Sequence, residues 1–172
     1  TSSAFNVSNL TTVPSGNGAR SYSAWIQLEP GVSGGEIISQ GSLSAYNRSA
    51  FSVDPSKLTL DFHVGYVQGT NLSLADGAWH MVTAVFDPAL TVNGNSGISF
   101  YVDGLAVSTV TAGVDGFNKE LVNTSNSNNL ASFAGASTNL VGSKIDDAGI
   151  WIRALSASEV SALYANPNLV PM

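Results

Sequence analysis

The sequence predicts an all-β fold: a two-sheet antiparallel β-sandwich of the jelly-roll kind, with one short C-terminal helix. Three observations predict it. Short runs of alternating apolar and polar residues succeed one another, punctuated by Gly, Asn, Pro and Asp. Only 10% of residues are charged, a composition that suits strands and ordered loops better than surface helices. A helix start signal with a capping box occurs late in the chain, at Ser156 and Glu159.

In order along the chain, residues 21–28 alternate, with Tyr22, Ala24, Ile26 and Leu28 on one face and Ser23, Trp25 and Gln27 on the other. Pro30 and Gly31 stop that strand. A second strand covers 36–40, and a polar loop follows through Tyr46 and Arg48. Residues 50–53 lead into the turn Asp54-Pro55-Ser56. Leu58, Leu60, Phe62 and Val64 then alternate strictly with Thr59, Asp61 and His63, the pattern of a half-buried strand. Tyr66 and Gln68 are expected in the next loop.

Asp76-Gly77 opens a long strand at 79–86, and Asp87-Pro88 ends it. Strands at 98–102 and 105–110 flank Asp103-Gly104, a hairpin signal. Residues 111–141 are rich in Gly, Asn and Ser, with one short strand expected near 130–133. A last strand at 145–152 precedes a helix at 156–164, which Pro167 ends. With 172 residues, no internal repeat and no linker, the chain reads as one domain at 1–165 with a tail at 166–172. It contains no cysteine, so disulfides and thiolate metal sites are excluded.

Four segments carry a resemblance. They are Ser23-Ala24-Trp25-Ile26, then Asp76-Gly77-Ala78-Trp79-His80-Met81-Val82, then Phe100-Tyr101-Val102-Asp103-Gly104, and finally Ile145-Asp146-Asp147 through Arg153-Ala154-Leu155-Ser156 to Glu159 and Leu163-Tyr164. In order and spacing they resemble the laminin-G-like, concanavalin A-like jelly-roll domains common in exported bacterial proteins. Gly149 departs from the pattern, which has a long side chain there. The motif residues read mainly as structural. Asp103-Gly104 makes a tight turn, Trp79 seals an edge of the sandwich, Arg153 pins the last strand or helix, and Trp151 belongs to a core.

The formal charge is −6 with six Lys and Arg, so no basic stripe exists for nucleic acid, and no apolar run is long enough for membrane insertion. A retaining glycosidase needs two carboxylates roughly 5 Å apart, usually at alternating positions of a strand. The four Glu residues are instead scattered singly, and Asp146-Asp147 are adjacent. With two histidines and no basic, Tyr-containing cleft signature, a lyase or a Ser-His-Asp arrangement finds no support either, so no enzyme is expected.

The binding expectation rests on polar and aromatic side chains opposite the core. Asp61 and His63 would meet sugar hydroxyls on a concave sheet, with Gln40, Tyr46 and Arg48 at a neighbouring strand end and Tyr66 just beyond. The resemblance also implies a structural calcium ion, with Asp146 or Asp147 among its oxygen ligands. It further implies a non-catalytic carbohydrate-binding, lectin-like module. Its partner would be a polysaccharide or oligosaccharide, and it would be attached to other domains of a secreted or cell-surface bacterial protein. The alternative is a protein-interaction or adhesion module using rim loops, notably within 111–141.

Overall fold

The computed structural model describes residues 5–6, 16, 18–41, 48–61, 66–90, 97–112, 128–130 and 143–166. Its strands are β1 (Phe5–Asn6), β2 (Arg20–Leu28), β3 (Gly35–Gly41), β4 (Arg48–Asp54), β5 (Lys57–Asp61), β6 (Tyr66–Gly69), β7 (Trp79–Phe86), β8 (Ile98–Val102), β9 (Leu105–Ala106), β10 (Thr109–Ala112), β11 (Asn128–Leu130) and β12 (Ser143–Trp151). Helix α1 is Ala157–Ala165. One sheet has seven strands in the order β1-β11-β3-β4-β5-β6-β10; the other has five, β12-β2-β7-β8-β9. Every pairing is antiparallel, as the alternation in the sequence implies.

The main core fills the space between the sheets. From the five-stranded sheet come Tyr22, Ala24, Ile26 and Leu28 of β2, with Val82, Ala84 and Phe86 of β7. Facing them are Ile37, Ile38, Phe51, Val53, Leu58, Leu60 and Val67. The rings of Tyr22, Phe51 and Phe100 stack through the layer at centroid separations of 6.5 and 6.3 Å. The buried Tyr22 hydroxyl needs polar partners in this apolar layer, and it finds Gln40 Oε1 at 2.5 Å and Ser49 Oγ at 2.8 Å.

The outer face of the five-stranded sheet is not left open. Met81, Val85 and Tyr101 form a second apolar cluster with Leu155 and Val160, and Trp25, Trp151 and Leu163 pack against it. Helix α1 therefore lies on this face, with the Tyr164 ring stacked on Trp25 at 5.7 Å. The capping box is formed: Ser156 Oγ accepts from the Glu159 amide, and the Glu159 carboxylate accepts from the Ser156 amide at 2.8 Å. Arg153 does pin the helix, through Glu159 at 2.7 Å. Ser21 ties helix to sheet, donating to Arg153 O and accepting from the Leu155 amide, both at 3.0 Å. All four motif segments lie on this sheet and its helix, on β2, β7, β8 and β12–α1.

Several expectations are corrected. Tyr66 and Gln68 lie in a strand, β6, not in a loop. The run expected at 105–110 is two strands in different sheets, because the chain crosses between Val107, whose amide bonds to Phe100 O, and Ser108, whose carbonyl accepts from Thr70. The Trp79 ring does not seal an edge and remains 40% exposed. Trp151 does belong to a core, packing against the second cluster, and its indole crosses the face of Gly149. A Cβ at Gly149 would meet that ring at 2.8 Å, which accounts for the missing long side chain: the indole occupies its place. Phe62, His63 and Val64 of the predicted strand lie outside the described residues, as does most of 111–141.

Candidate functional site

Because side chains alternate along a strand, burying Phe51, Val53, Leu58, Leu60 and Val67 turns their neighbours outward. The outward set is Ala50, Ser52 and Asp54 on β4, Lys57, Thr59 and Asp61 on β5, and Tyr66 and Gln68 on β6. Together with the Ser33-Gly34-Gly35 segment and Glu36 they line a cleft of about 500 Å³. The register arranges them in rows across the strands: Ala50, Asp61 and Tyr66 in one, Glu36, Ser52, Thr59 and Gln68 in the next. Small residues, Gly35, Ala50 and Ser52, lie on the β3–β4 side of the cleft, where Gly34 rests against the Val53 carbonyl with no space for a Cβ.

A bulge in β3 brings Glu36 to this face. Glu36 pairs with Ser52 and Ile38 with Phe51, so Ile37 is the inserted residue and both isoleucines enter the core. Glu36 then forms an ion pair with Arg48, and Arg48 Nη1 also donates to Asp61 Oδ2 at 3.3 Å. The three differ in access: Glu36 and Arg48 are 4% and 3% exposed, Asp61 27%. Burial lowers the Arg48 pKa from its ordinary value, and the Asp61 charge opposes that shift. At the far end of β5, Lys57 pairs with Asp54 at 3.1 Å. Burial would raise the Asp54 pKa, but bonds from Ser56 and Lys57 outweigh it and hold the carboxyl below its ordinary value. Gln68 donates to Thr59 Oγ1 at 3.2 Å, and the Tyr66 ring stands 37% exposed beside them.

Of the residues singled out in the sequence, Asp61, Arg48 and Tyr66 come together here. Arg48 does so as a buried support for Asp61, not as a surface contact. Gln40 is corrected: it is fully buried and faces the interior, where its amide oxygen accepts from Tyr22. Tyr46 and His63 lie outside the described residues. Sequence reading missed Glu36, whose outward turn depends on a bulge that alternation does not encode. It also missed the partnership of Ser52 with Thr59 and Gln68, which only strand register reveals.

Asp146 and Asp147 sit at a bulge of β12, both exposed, with Asp147 at φ 45° and its amide bonded to Asp146 Oδ1 at 2.9 Å. Among the described residues they gather no third His, Asp or Glu at metal-ligating distance, whereas calcium takes about six to eight oxygens. This described donor set does not by itself make a calcium cage.

His80 is held on both sides, Nδ1 by Asp103 at 2.8 Å and Nε2 by Asp76 at 3.2 Å. Burial lowers its pKa, but the bonds and charges of Asp103 and Asp76 outweigh that and raise it above 6.5. With both ring nitrogens occupied, this histidine serves as a structural tie.

Two packed antiparallel sheets, one with an open polar cleft on its outer face, make this a two-sheet β-sandwich. The chain belongs to the concanavalin A-like lectin/glucanases superfamily, whose laminin-G family model matches residues 1–161. Among solved structures it is similar to domains LG4-5 of the mouse laminin alpha1 chain (15% identity, TM-score 0.57, covering 90% of this chain and 40% of that one). It is also similar to the NanB sialidase of Streptococcus pneumoniae (13%, 0.65, covering 93% and 26%). A third is the botulinum neurotoxin serotype C1 binding domain (17%, 0.56, covering 86% and 36%). At these identities the likeness is one of fold, and this chain spans only about a quarter to two fifths of those chains. Comparison with curated proteins finds no match.

Proposed function

We propose that the chain is a non-catalytic carbohydrate-binding module that holds glycan in the cleft on the outer face of the seven-stranded sheet. The observation that carries this reading is the composition of that cleft. An exposed ring, Tyr66, stands beside Asp61, Thr59 and Gln68 in a depression of about 500 Å³. A ring covers the apolar face of a sugar, while carboxylate, hydroxyl and amide groups exchange hydrogen bonds with its hydroxyls. The cleft also holds three carboxylates, but Glu36 is sealed at 4% exposure and cannot meet a glycosidic oxygen. Asp54 and Asp61 sit at opposite ends of the β4–β5 ladder, about 13 Å apart along the strands, too far for an acid and nucleophile pair.

One fold neighbour is a neurotoxin binding domain, and in it and in the laminin alpha1 chain the matched part lies within a longer chain, which supports a binding domain attached to others. Attached to a secreted or cell-surface bacterial protein, such a module raises the local concentration of its companions on a polysaccharide. Calcium enters the proposal through Asp146 and Asp147, as a stabiliser of the β12 bulge.

The test is binding of the chain to a panel of soluble and insoluble polysaccharides, with and without a chelator. Saturable binding that Tyr66→Ala and Asp61→Ala abolish, with the melting temperature of Tyr66→Ala unchanged, is the expected result. Binding to no glycan would overturn the reading, and binding indifferent to chelation would remove calcium from it.

A further inference from the structure

We infer that the cleft selects an uncharged, linear oligosaccharide laid across the strands and about three sugar units long; this rests on the carbohydrate-binding reading above. The direction follows from register. The polar lining forms rows perpendicular to the strands, and the longest runs from Glu36 on β3 through Ser52 and Thr59 to Gln68 on β6. Glu36 is sealed, so the part of the row a ligand can meet runs from Ser52 to Gln68, two inter-strand spacings or about 10 Å, and a pyranose unit in a chain is about as long as one spacing. Hydroxyl and amide side chains at successive strands can therefore meet successive sugar units. The ring of Tyr66 lies at the β6 end, so one unit stacks there and the others are held by hydrogen bonds.

The lack of charge on the ligand follows from electrostatics. Among the described residues, three carboxylates line the cleft, Glu36, Asp54 and Asp61, against two cations, Lys57 in the lining and Arg48 buried behind it. Both cations are engaged: Arg48 by Glu36 and Asp61, and Lys57 by Asp54. A uronate, sialate or sulfate group entering here would meet negative potential and would have to displace an existing ion pair, in a chain whose net charge is already −6. A neutral sugar brings hydroxyl donors to the carboxylates and acceptors to Gln68, Thr59 and Ser52 without that penalty.

The experiment is calorimetric titration of the chain with gluco-, manno-, xylo- and galacto-oligosaccharides of increasing length, alongside uronate oligomers of matched length. In one neutral series, affinity should rise by about tenfold or more between one unit and three, then level off. Tyr66→Ala should lower the plateau by about tenfold, and the uronates should give no heat. Equal affinity for one unit and three, or tighter binding of a uronate that weakens with salt, would overturn the inference and leave carbohydrate binding standing. Silence across both neutral and acidic series would overturn carbohydrate binding itself, and this inference with it.

Discussion

His80 and Asp103 are 23 positions apart, yet their side chains meet at 2.8 Å and join the start of β7 to the β8–β9 turn. The other Asp103 oxygen accepts from the Met81 amide at 2.9 Å, and Met81 O accepts from the Asp103 amide at 2.8 Å. Two sequence motifs that look separate on paper are thus halves of one hydrogen-bonded joint. Asp103 at φ 51° and Gly104 at φ 78° make the tight turn that aims the carboxylate into it.

This joint predicts a pH dependence with a definite sign. The folded-state pKa of His80 is raised above 6.5, so its contribution to stability is complete below about pH 6.5 and is lost as pH climbs through the raised value. Urea unfolding of the parent should show this decline, and His80→Gln should flatten it. A variant whose stability still falls in the same window would exclude His80 as the source.

The buried ion triad predicts an asymmetry. Removing one partner strands a charge, so Arg48→Met should lose about 3–5 kcal/mol of unfolding free energy because Glu36 is left uncompensated. Replacing both, as Arg48→Met with Glu36→Leu, should recover most of that loss. Denaturant titration of the four corners of the cycle measures it, and additivity of the two changes would refute the coupling.

Gly149→Ala should be destabilising by about 1–3 kcal/mol, since the added carbon meets the Trp151 ring at 2.8 Å and the indole must move. The tryptophan emission maximum should shift with it. Adding Trp151→Ala to Gly149→Ala should give a loss smaller than the sum of the single changes.

Glu159 predicts the opposite pH sense from His80. Its pKa is held down at about 2, first by Arg153 and then by the Ser156 amide and hydroxyl. The stability it lends is present above about 4.5 and disappears as pH falls toward about 2. Hydrogen exchange at the Val160 amide, which bonds to Ser156 O, should quicken over that range, and Glu159→Gln should remove the dependence.

The sandwich was legible because its signals are local. Alternation along β2 and β7, the Asp103-Gly104 turn and the Ser156–Glu159 box each act within a few residues, and each forms as its local chemistry dictates. The cleft was legible only in part, for the converse reason. Asp61 is marked as outward by the alternation of Leu58 and Leu60 ahead of it, but its neighbours Ala50 and Tyr66 come from other strands. Gln40 misleads because its partner, the Tyr22 hydroxyl, is 18 residues away and on the opposite sheet. Every motif that marks the family lies on the five-stranded sheet or its helix, so none of them bears on the face where the cleft lies.

The crossing at Val107 and Ser108 has a mechanical consequence. There a single short stretch of backbone is bonded to Phe100 on one side and Thr70 on the other, so the two sheets are bound along that edge like leaves on a spine. Sliding one sheet over the other there would strain both bonds, so relative motion of the sheets is restrained at this edge. Breathing of the sandwich should therefore begin at the opposite edge, where β12 and β1 are the outermost strands. The wall of the cleft on β6, next to the spine, should be the part that holds its shape longest.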